Sequence, residues 1–143
     1  MPFEFVDDAV TSDVMFHASG DSLAELFVAA VDATTATMLA ELDSVRGAEQ
    51  RRAEVEAPVL DLLLLRVLEE VIFLKDTQRL LLRAADVCVD ADEHGWRACA
   101  ELVGEPIDHT RHALVADVKA VTLHGLYVEQ RDHRWHAGVT LDV

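Results

Sequence analysis

The segment over residues 58–82 constrains the fold more than any other part of the sequence, because apolar side chains dominate it. At helical spacing these side chains cover more than half of the circumference, so such a helix must be enclosed by other elements on most of its sides. Pro58 is well placed to begin the helix, since the first turn does not need its N–H. We therefore predict that this helix is the central core element. Its apolar positions are Leu60, Leu62, Leu63, Leu64, Leu65, Val67, Leu68, Val71, Ile72 and Leu74.

Charged side chains interrupt the same segment and argue against a membrane span. A helix that crosses a bilayer needs about 20 consecutive apolar residues, and the segment has no uncharged run of that length. The first residues, MPFEFVDDAV, have neither the basic region nor the apolar region of a secretory signal peptide. We therefore expect a cytoplasmic protein without a membrane partner. The interrupting residues are Asp61, Arg66, Glu69, Glu70, Lys75 and Asp76.

The other segments predict one further helix and seven strands. A capping box at Ser22 and Glu25 begins the helix, which is expected to continue to about residue 43. Helices separated by groups of hairpin strands indicate an α+β single domain over residues 1–143, with two helices packed on one side of a mostly antiparallel sheet. The strands are predicted over residues 3–7, 11–18, 50–57, 81–90, 96–103, 119–129 and 134–143, with hairpin turns at His94-Gly95 and 131–133.

The formal net charge of the chain is −15, from 12 basic and 27 acidic side chains. A protein that binds nucleic acid tightly needs a basic surface that displaces condensed counterions. We therefore expect no direct tight nucleic-acid binding. The acidic surface favours a basic protein partner instead. Solubility or adaptation to a salt-rich source is the alternative explanation of the charge.

The two cysteines, Cys88 and Cys99, lie on the successive strands predicted around the His94-Gly95 turn. A disulfide between them is geometrically possible, whereas free buried thiols are typical of a cytoplasmic protein. We expect both thiols to be free and buried.

Asp13 and Asp142 are the strongest candidates for a functional site. Side chains alternate between the two faces of a strand, and this alternation places both aspartates on faces that do not belong to the core. If the N-terminal and C-terminal strands are neighbours, the two carboxylates meet, and the main-chain carboxylate of Val143 lies beside them. Three hard anionic oxygens suit Ca²⁺, Mg²⁺ or Mn²⁺ better than Zn²⁺. The alternative is a pair of exposed aspartates at strand ends.

Three further polar residues give weaker signals. His17 shares a face with Asp13 and is either a group that supports the site or a simple surface residue. His124 lies in a predicted strand, where a satisfied structural side chain is the simpler explanation. Lys119, one of two lysines in the chain, either pairs with an acidic neighbour or contacts a partner.

Motifs of catalysis and of zinc binding are weak in this sequence. It contains no GxSxG, P-loop or GxGxxG segment, so we expect that the protein is not an enzyme on its own. The spacing His109-x-x-His112 is compatible with zinc, but no cysteine lies near it, and a solvated loop is the better interpretation.

Short segments along the whole chain match the motifs of one known protein family. Near the N-terminus, Thr11-Ser-Asp13-Val14 is similar to the family's Thr-Ala-Asp-(Ile/Val) step. In the last quarter, Val118-Lys-Ala-Val-Thr122 followed by His124-Gly is similar to its Val-Lys-Ala-(Val/Ile)-Thr and Tyr-His-Gly segments. The sequence differs from the family pattern at Val10, where the family has histidine, and at Leu123, where it has tyrosine. Further matching segments are Ser19-Gly20, Ser22-Leu-Ala-Glu-Leu-Phe27, Leu74-Lys-Asp76, Arg111-His112 and Leu141-Asp-Val143. As a set, these segments resemble the archease family.

The resemblance implies a protein cofactor rather than an enzyme. Archeases act with the RtcB-type RNA ligase, which joins a 3′-phosphate or 2′,3′-cyclic phosphate RNA end to a 5′-hydroxyl with GTP and Mn²⁺. They promote guanylylation of the ligase and so allow multiple turnovers in tRNA splicing and RNA repair. The resemblance also implies a divalent-cation site at Asp13, Asp142 and Val143, with Ca²⁺ expected first and Mn²⁺ or Mg²⁺ as alternatives. A stand-alone metal-dependent hydrolase, or a general chaperone or scaffold for RNA-modifying enzymes, are the competing functions.

Overall fold

The computed structural model describes residues 2–6 and 13–143 of the chain. The predicted strands over 3–7 and 11–18 therefore fall partly outside the described residues, at residues 7, 11 and 12. The order of the elements, two strands, a helix, a strand, a helix and four strands, is the predicted one. They are β1 (Phe3–Val6), β2 (Asp13–Gly20), α1 (Leu23–Ala36), β3 (Glu49–Ala57), α2 (Leu60–Gln78), β4 (Leu80–Asp92), β5 (Gly95–Pro106), β6 (Ala120–Arg131) and β7 (Arg134–Asp142), with a 3-10 turn over Leu42–Ser44.

The strands form two antiparallel sheets rather than the one sheet that the sequence predicts. Four strands lie in the order β1-β2-β7-β6, and three lie in the order β3-β5-β4. The α+β class is confirmed. The division has a physical reason, because α2 is apolar around more than half of its circumference and the face of a single sheet cannot cover that much of a helix. Strands of both sheets contact each helix, and the helices contact one another.

The core is centred on α2, as the leucine pattern predicts. Leu63, Leu64 and Leu68 of this helix are fully buried, and so are Phe16 of β2 and Leu141 of β7. Side chains from the first helix, the second helix and both sheets therefore share one cluster. Among the described residues, no helix is long and apolar enough to cross a membrane.

Both helices begin near their predicted positions. The Ser22 hydroxyl accepts a hydrogen bond from the Glu25 N–H at 3.1 Å, so the capping interaction on α1 is confirmed. The Glu25 carboxylate reaches back to the N–H of Asp21 rather than to that of Ser22. Pro58 lies one residue before the cap of α2, which is Val59, so its prediction as the first helical residue is wrong by two positions.

Both helices end earlier than predicted. The first ends at Ala36 instead of about residue 43, and the Thr37 hydroxyl that follows bonds back to the Ala33 carbonyl at 2.9 Å. Such local hydrogen bonds from threonine compete with continuation of a helix. The second ends at Gln78, because Arg79 adopts a left-handed conformation with φ of 58°. Leu81 and Leu82, assigned to both the helix and a strand by the sequence, belong to β4, and so does Leu80, which was predicted as helical.

The two long hairpins turn within one residue of the predicted positions, at Glu93-His94 and at Asp132-His133. Asp132 and His133 join β6 to β7 with φ angles of 54° and 64°, as a type I′ turn requires. In the β4–β5 hairpin, Cys88 and Cys99 are direct partners across the strands, and both thiols are free. Their expected burial is wrong, because Cys88 is exposed and Cys99 is half-buried on the outer face of the sheet.

A carboxylate pair where the first and last parts of the chain meet

Asp13 and Asp142 lie directly opposite each other at one end of the four-stranded sheet. Asp13 is the first residue of β2, Asp142 is the last residue of β7, and the antiparallel register pairs them. On its other side Asp142 is paired with Ala120, the first residue of β6. The N–H of Lys119 donates to the Asp142 carbonyl oxygen at 2.8 Å. Three strands therefore fix the backbone on which the two carboxylates stand.

Alternation along the strands places both carboxylates on the outer face of this sheet. The intervening positions Phe16 and Leu141 are fully buried in the core, whereas Asp13 and Asp142 are half-buried. Cross-strand neighbours in an antiparallel pair lie about 4.5–5.5 Å apart at the Cβ atoms, so two like charges here repel each other. Within the part of the chain that the structure describes, neither carboxylate has an ion-pair partner. A bound cation would remove this repulsion.

The donor set at this corner is small. Among the described residues, no three side chains of histidine, cysteine, aspartate or glutamate come together as a metal-binding group. The corner supplies the carboxylates of Asp13 and Asp142, and Val143, which follows β7, is half-buried beside them. Oxygen ligands of this kind fit a hard cation that keeps several water ligands better than they fit zinc.

The outer-face position His17 lies too far along β2 to join the carboxylate pair. It is paired with Gly138, four residue pairs away from the Asp13–Asp142 pair. Its ring lies edge-on to that of Tyr127, with 6.3 Å between centroids, and its Nδ1 is 3.8 Å from a Glu4 carboxylate oxygen. The structure therefore places His17 in a separate, exposed group on the same face.

A large bulge in β6 stands beside the carboxylate pair, and sequence reasoning missed it. Thr122 is paired with Thr140, but the next pair joins Tyr127 to Gly138, so residues 123–126 lie opposite a single residue of β7. Gly125 makes the bulge possible with φ of 68°. The interpretation of His124 as a satisfied strand residue is wrong, because its side chain is exposed on this bulge. Leu123 beside it is 68% exposed.

His109 and His112 form neither a zinc site nor a wholly solvated loop. His109 is exposed, but His112 is buried, and its Nδ1 accepts the Asp108 N–H at 2.9 Å. Its Nε2 lies 3.3 Å from a carboxylate oxygen of buried Glu105, which also binds Arg111. Burial, and then the nearby Arg111 guanidinium, lower the pKa of His112 from its ordinary value, which favours the neutral ring. The cluster is structural.

A second missed group holds the backbone that leads into the site. Lys75 of α2 is only 4% exposed, and its ammonium binds the carboxylates of Asp76 and Asp117 and the carbonyl of Val118. Val118 precedes Lys119, whose own side chain is exposed. The signal that identifies Lys75 is its position, because a lysine on the apolar side of a buried helix needs polar or charged partners for its ammonium.

The fold and this corner define a class of protein: a two-sheet α+β domain that presents a carboxylate pair where its first and last long strands meet. The profile of the archease protein family (MTH1598/TM1083) matches residues 3–143. The chain belongs to the archease family.

Individual relatives agree with this assignment. The protein archease of Methanopyrus kandleri is 34% identical over 143 residues, which is 100% of both chains. The protein archease of Pyrococcus abyssi is 33% identical over 134 residues, which covers 93% of this chain and 94% of the relative. Both relatives carry the name of the family that the profile identifies.

Solved structures share the fold. The solution structure of Methanobacterium thermoautotrophicum protein 1598 has a TM-score of 0.85 and 34% identity, and the similarity covers 99% of each chain. The crystal structure of an archease from Thermotoga maritima, described as a possible chaperone, has a TM-score of 0.61 and covers 93% of this chain and 92% of that one. At 14% identity this second similarity concerns the fold alone.

Proposed function

We propose that this protein is a cofactor of an RtcB-type RNA ligase and promotes the ligase's guanylylation and multiple turnover in tRNA splicing and RNA repair. The observation that carries the proposal is the direct pairing of Asp13 with Asp142 in a chain that matches the archease family over residues 3–143. The two residues that the family resemblance assigns to the site are far apart in sequence. The fold makes them neighbours, as a shared site requires.

The same corner is proposed to hold a divalent cation, Ca²⁺ first and Mn²⁺ or Mg²⁺ as alternatives. The ligands would be the carboxylates of Asp13 and Asp142 and the main-chain carboxylate of Val143, the last residue of this sequence. Two features of the residues fit such an ion: the donors are all hard oxygens, and the two side-chain carboxylates repel each other without it. When bound, the ion would supply a fixed positive charge at the end of the sheet.

The surface that meets the ligase is proposed to be centred on this corner. A protein with a net charge of −15 has little basic surface with which to bind RNA. We therefore expect it to affect RNA ligation by binding the ligase. Lys119 and His124 are exposed next to the corner, and they are the candidate contacts, whereas His17 stands farther along the face. Docking there would hold the ligase's guanylylation site in a reactive arrangement, so that the helper acts through positioning.

Multiple-turnover ligation with excess RNA tests the proposal. Asp142→Ala should abolish stimulation without unfolding the domain, because this side chain does not belong to the core. Asp90→Ala is the matched control, since it removes the same charge from an exposed position on the other sheet and should stimulate fully. Circular dichroism of each variant reports folding. Full stimulation by a folded Asp142→Ala protein would show that another surface acts.

A chaperone activity is the second candidate, and it rests on the description of the Thermotoga maritima archease as a possible chaperone. An acidic helper would then keep a basic client from aggregating. Light scattering of an aggregating RNA-modifying enzyme, with and without this protein, separates this activity from stimulation of ligation. Suppression of scattering that is equal for the wild type and Asp142→Ala would favour the chaperone over the cofactor.

A further inference from the structure

Thr140 carries a hydroxyl that is buried without a hydrogen-bond partner. Its residue is 1% exposed, and within the described part of the chain its Oγ1 atom is inaccessible to water and bonds to nothing. Buried polar side chains in native proteins nearly always have a partner, and each exception calls for a cause. Thr140 lies on the outer face of its sheet, where threonine hydroxyls ordinarily meet solvent.

The bulge in β6 is the cause of this burial. Thr140 is paired with Met15 on one side and with Thr122 on the other. The bulge folds over this row, so that a Cβ atom placed on Gly125 would lie 3.9 Å from the Thr140 hydroxyl oxygen and 4.0 Å from the Met15 methyl carbon. The bulge thus separates the hydroxyl from water, and the methionine gives it no polar neighbour on the β2 side.

The nearest carboxylate along the strand is that of Asp142. Residues two apart in a strand share a face and stand about 6.5–7 Å apart, so an aspartate and a threonine at these positions can be joined by one hydrogen bond. The Thr140 hydroxyl would be the donor, and an Asp142 carboxylate oxygen the acceptor. Thr122 in the neighbouring strand differs, because its hydroxyl is less buried and already accepts the His124 N–H at 3.3 Å.

We propose that Thr140 is a positioning residue for the cation site, and that its hydroxyl donates to the Asp142 carboxylate when the cation is bound. The inference rests on the proposed function, because it requires that Asp142 is a ligand. Carboxylates that bind a metal are usually held by a hydrogen bond from a neighbouring group, which fixes their orientation. Without that hydrogen bond the buried hydroxyl has no partner, which lowers the stability of the fold.

This arrangement gives Thr140→Val two effects of opposite sign. Valine has the shape of threonine without the hydroxyl, so the metal-free variant should unfold a few degrees above the wild type. The same variant should bind Ca²⁺ about tenfold more weakly, because the Asp142 carboxylate loses its support. Thr140→Ser keeps the hydroxyl and should restore the affinity. A merely structural threonine would not couple a gain in stability to a loss of affinity.

Calorimetric titration with Ca²⁺ alone, and separately with Mn²⁺ alone, measures affinity, and thermal unfolding in chelator measures metal-free stability. Thr122→Val is the control and should leave the affinity unchanged. If the wild type binds neither ion, or if the double variant Asp13→Asn/Asp142→Asn binds as the wild type does, both the proposed cation site and this inference are overturned. If the wild type binds through Asp142 but Thr140→Val binds equally well, or is less stable without metal, the inference alone is overturned.

Discussion

Lys75, buried in α2, donates a hydrogen bond of 2.7 Å to the carbonyl oxygen of Val118, which lies two residues before the start of β6. The next residue, Lys119, donates its N–H to the carbonyl of Asp142. The central helix is therefore joined, through two hydrogen bonds and one intervening peptide, to the strand end that carries the carboxylate pair. The helix holds the backbone of the site from the side of the core.

Replacement of this lysine tests that connection. Lys75→Met keeps most of the side-chain volume but removes the ammonium, and hydrogen bonds of charged groups are worth about 1.5–3 kcal/mol, so a loss of unfolding free energy in this range is expected. Lys119→Met is the control, since that side chain is exposed and its variant should be as stable as the wild type. Urea denaturation measures both. Equal stability of the two variants would contradict a structural role for Lys75.

The buried His112 predicts how stability depends on pH. Its pKa is lowered by burial and then by Arg111, whereas a histidine in the unfolded chain titrates near about 6.5. Below that pH the unfolded chain takes up a proton that the folded protein does not, so this contribution is complete above about pH 6.5 and is lost as the pH falls toward the folded-state pKa. The loss amounts to at most about 1.4 kcal/mol per pH unit.

Variants at the two histidines of this segment separate the proton effect from other titrations. His112→Gln removes hydrogen bonds and should be less stable at neutral pH, but its stability should fall less steeply below about pH 6.5 than that of the wild type. His109→Gln, at an exposed position, should keep the wild-type slope. Denaturant unfolding across this pH range measures the slopes, and parallel curves for all three proteins would show that His112 takes up its proton in the folded state.

The carboxylate pair predicts that the cation affinity depends on both aspartates and on the main-chain carboxylate of Val143. Asp142→Asn should weaken Ca²⁺ binding by about tenfold or more, since a site with few protein ligands tolerates no lost charge. A chain that is extended past Val143 by a tag should lose affinity and ligase stimulation, while an N-terminal tag should be tolerated better. Calorimetry on the tagged pair measures this difference, and identical affinities would remove Val143 from the site.

The acidic surface predicts weak contact with RNA. With a net charge of −15 there is little counterion release to drive association, so free tRNA should not bind at about 150 mM salt. A gel-shift titration at low micromolar protein, repeated with the ligase present, measures this directly. A shifted band with the isolated protein would weaken the view that the helper acts through the ligase.

Alternation along single strands made part of this architecture predictable. The order of nine elements, the central role of α2 and the outer-face placement of Asp13 and Asp142 all follow from local periodicity, which the sequence carries in full. Local periodicity does not determine that β2 pairs with β7, because the pairing and register of distant strands depend on tertiary packing.

Features that depend on distant partners were not predictable in this way. The division into two sheets is decided by how the strands cover α2, not by any one segment. His112 and Lys75 look like solvated side chains until Glu105 and Asp117 are brought to them from elsewhere in the chain. The bulge over residues 123–126 was not predicted, although a glycine inside a strand pattern, such as Gly125, is typical of a bulge.

The pairing of Asp13 with Asp142 also has a consequence for how the protein is made. The three-stranded sheet uses only residues 49–106, so its contacts become available while synthesis is still in progress. The β2 strand is translated before its central partner β7, and both helices and four other strands lie between them in the chain. Until then β2 stands as an open edge beside β1. We expect a chain truncated before β7 to lack the carboxylate pair altogether, so that this corner can meet a partner only after β7 has been synthesised.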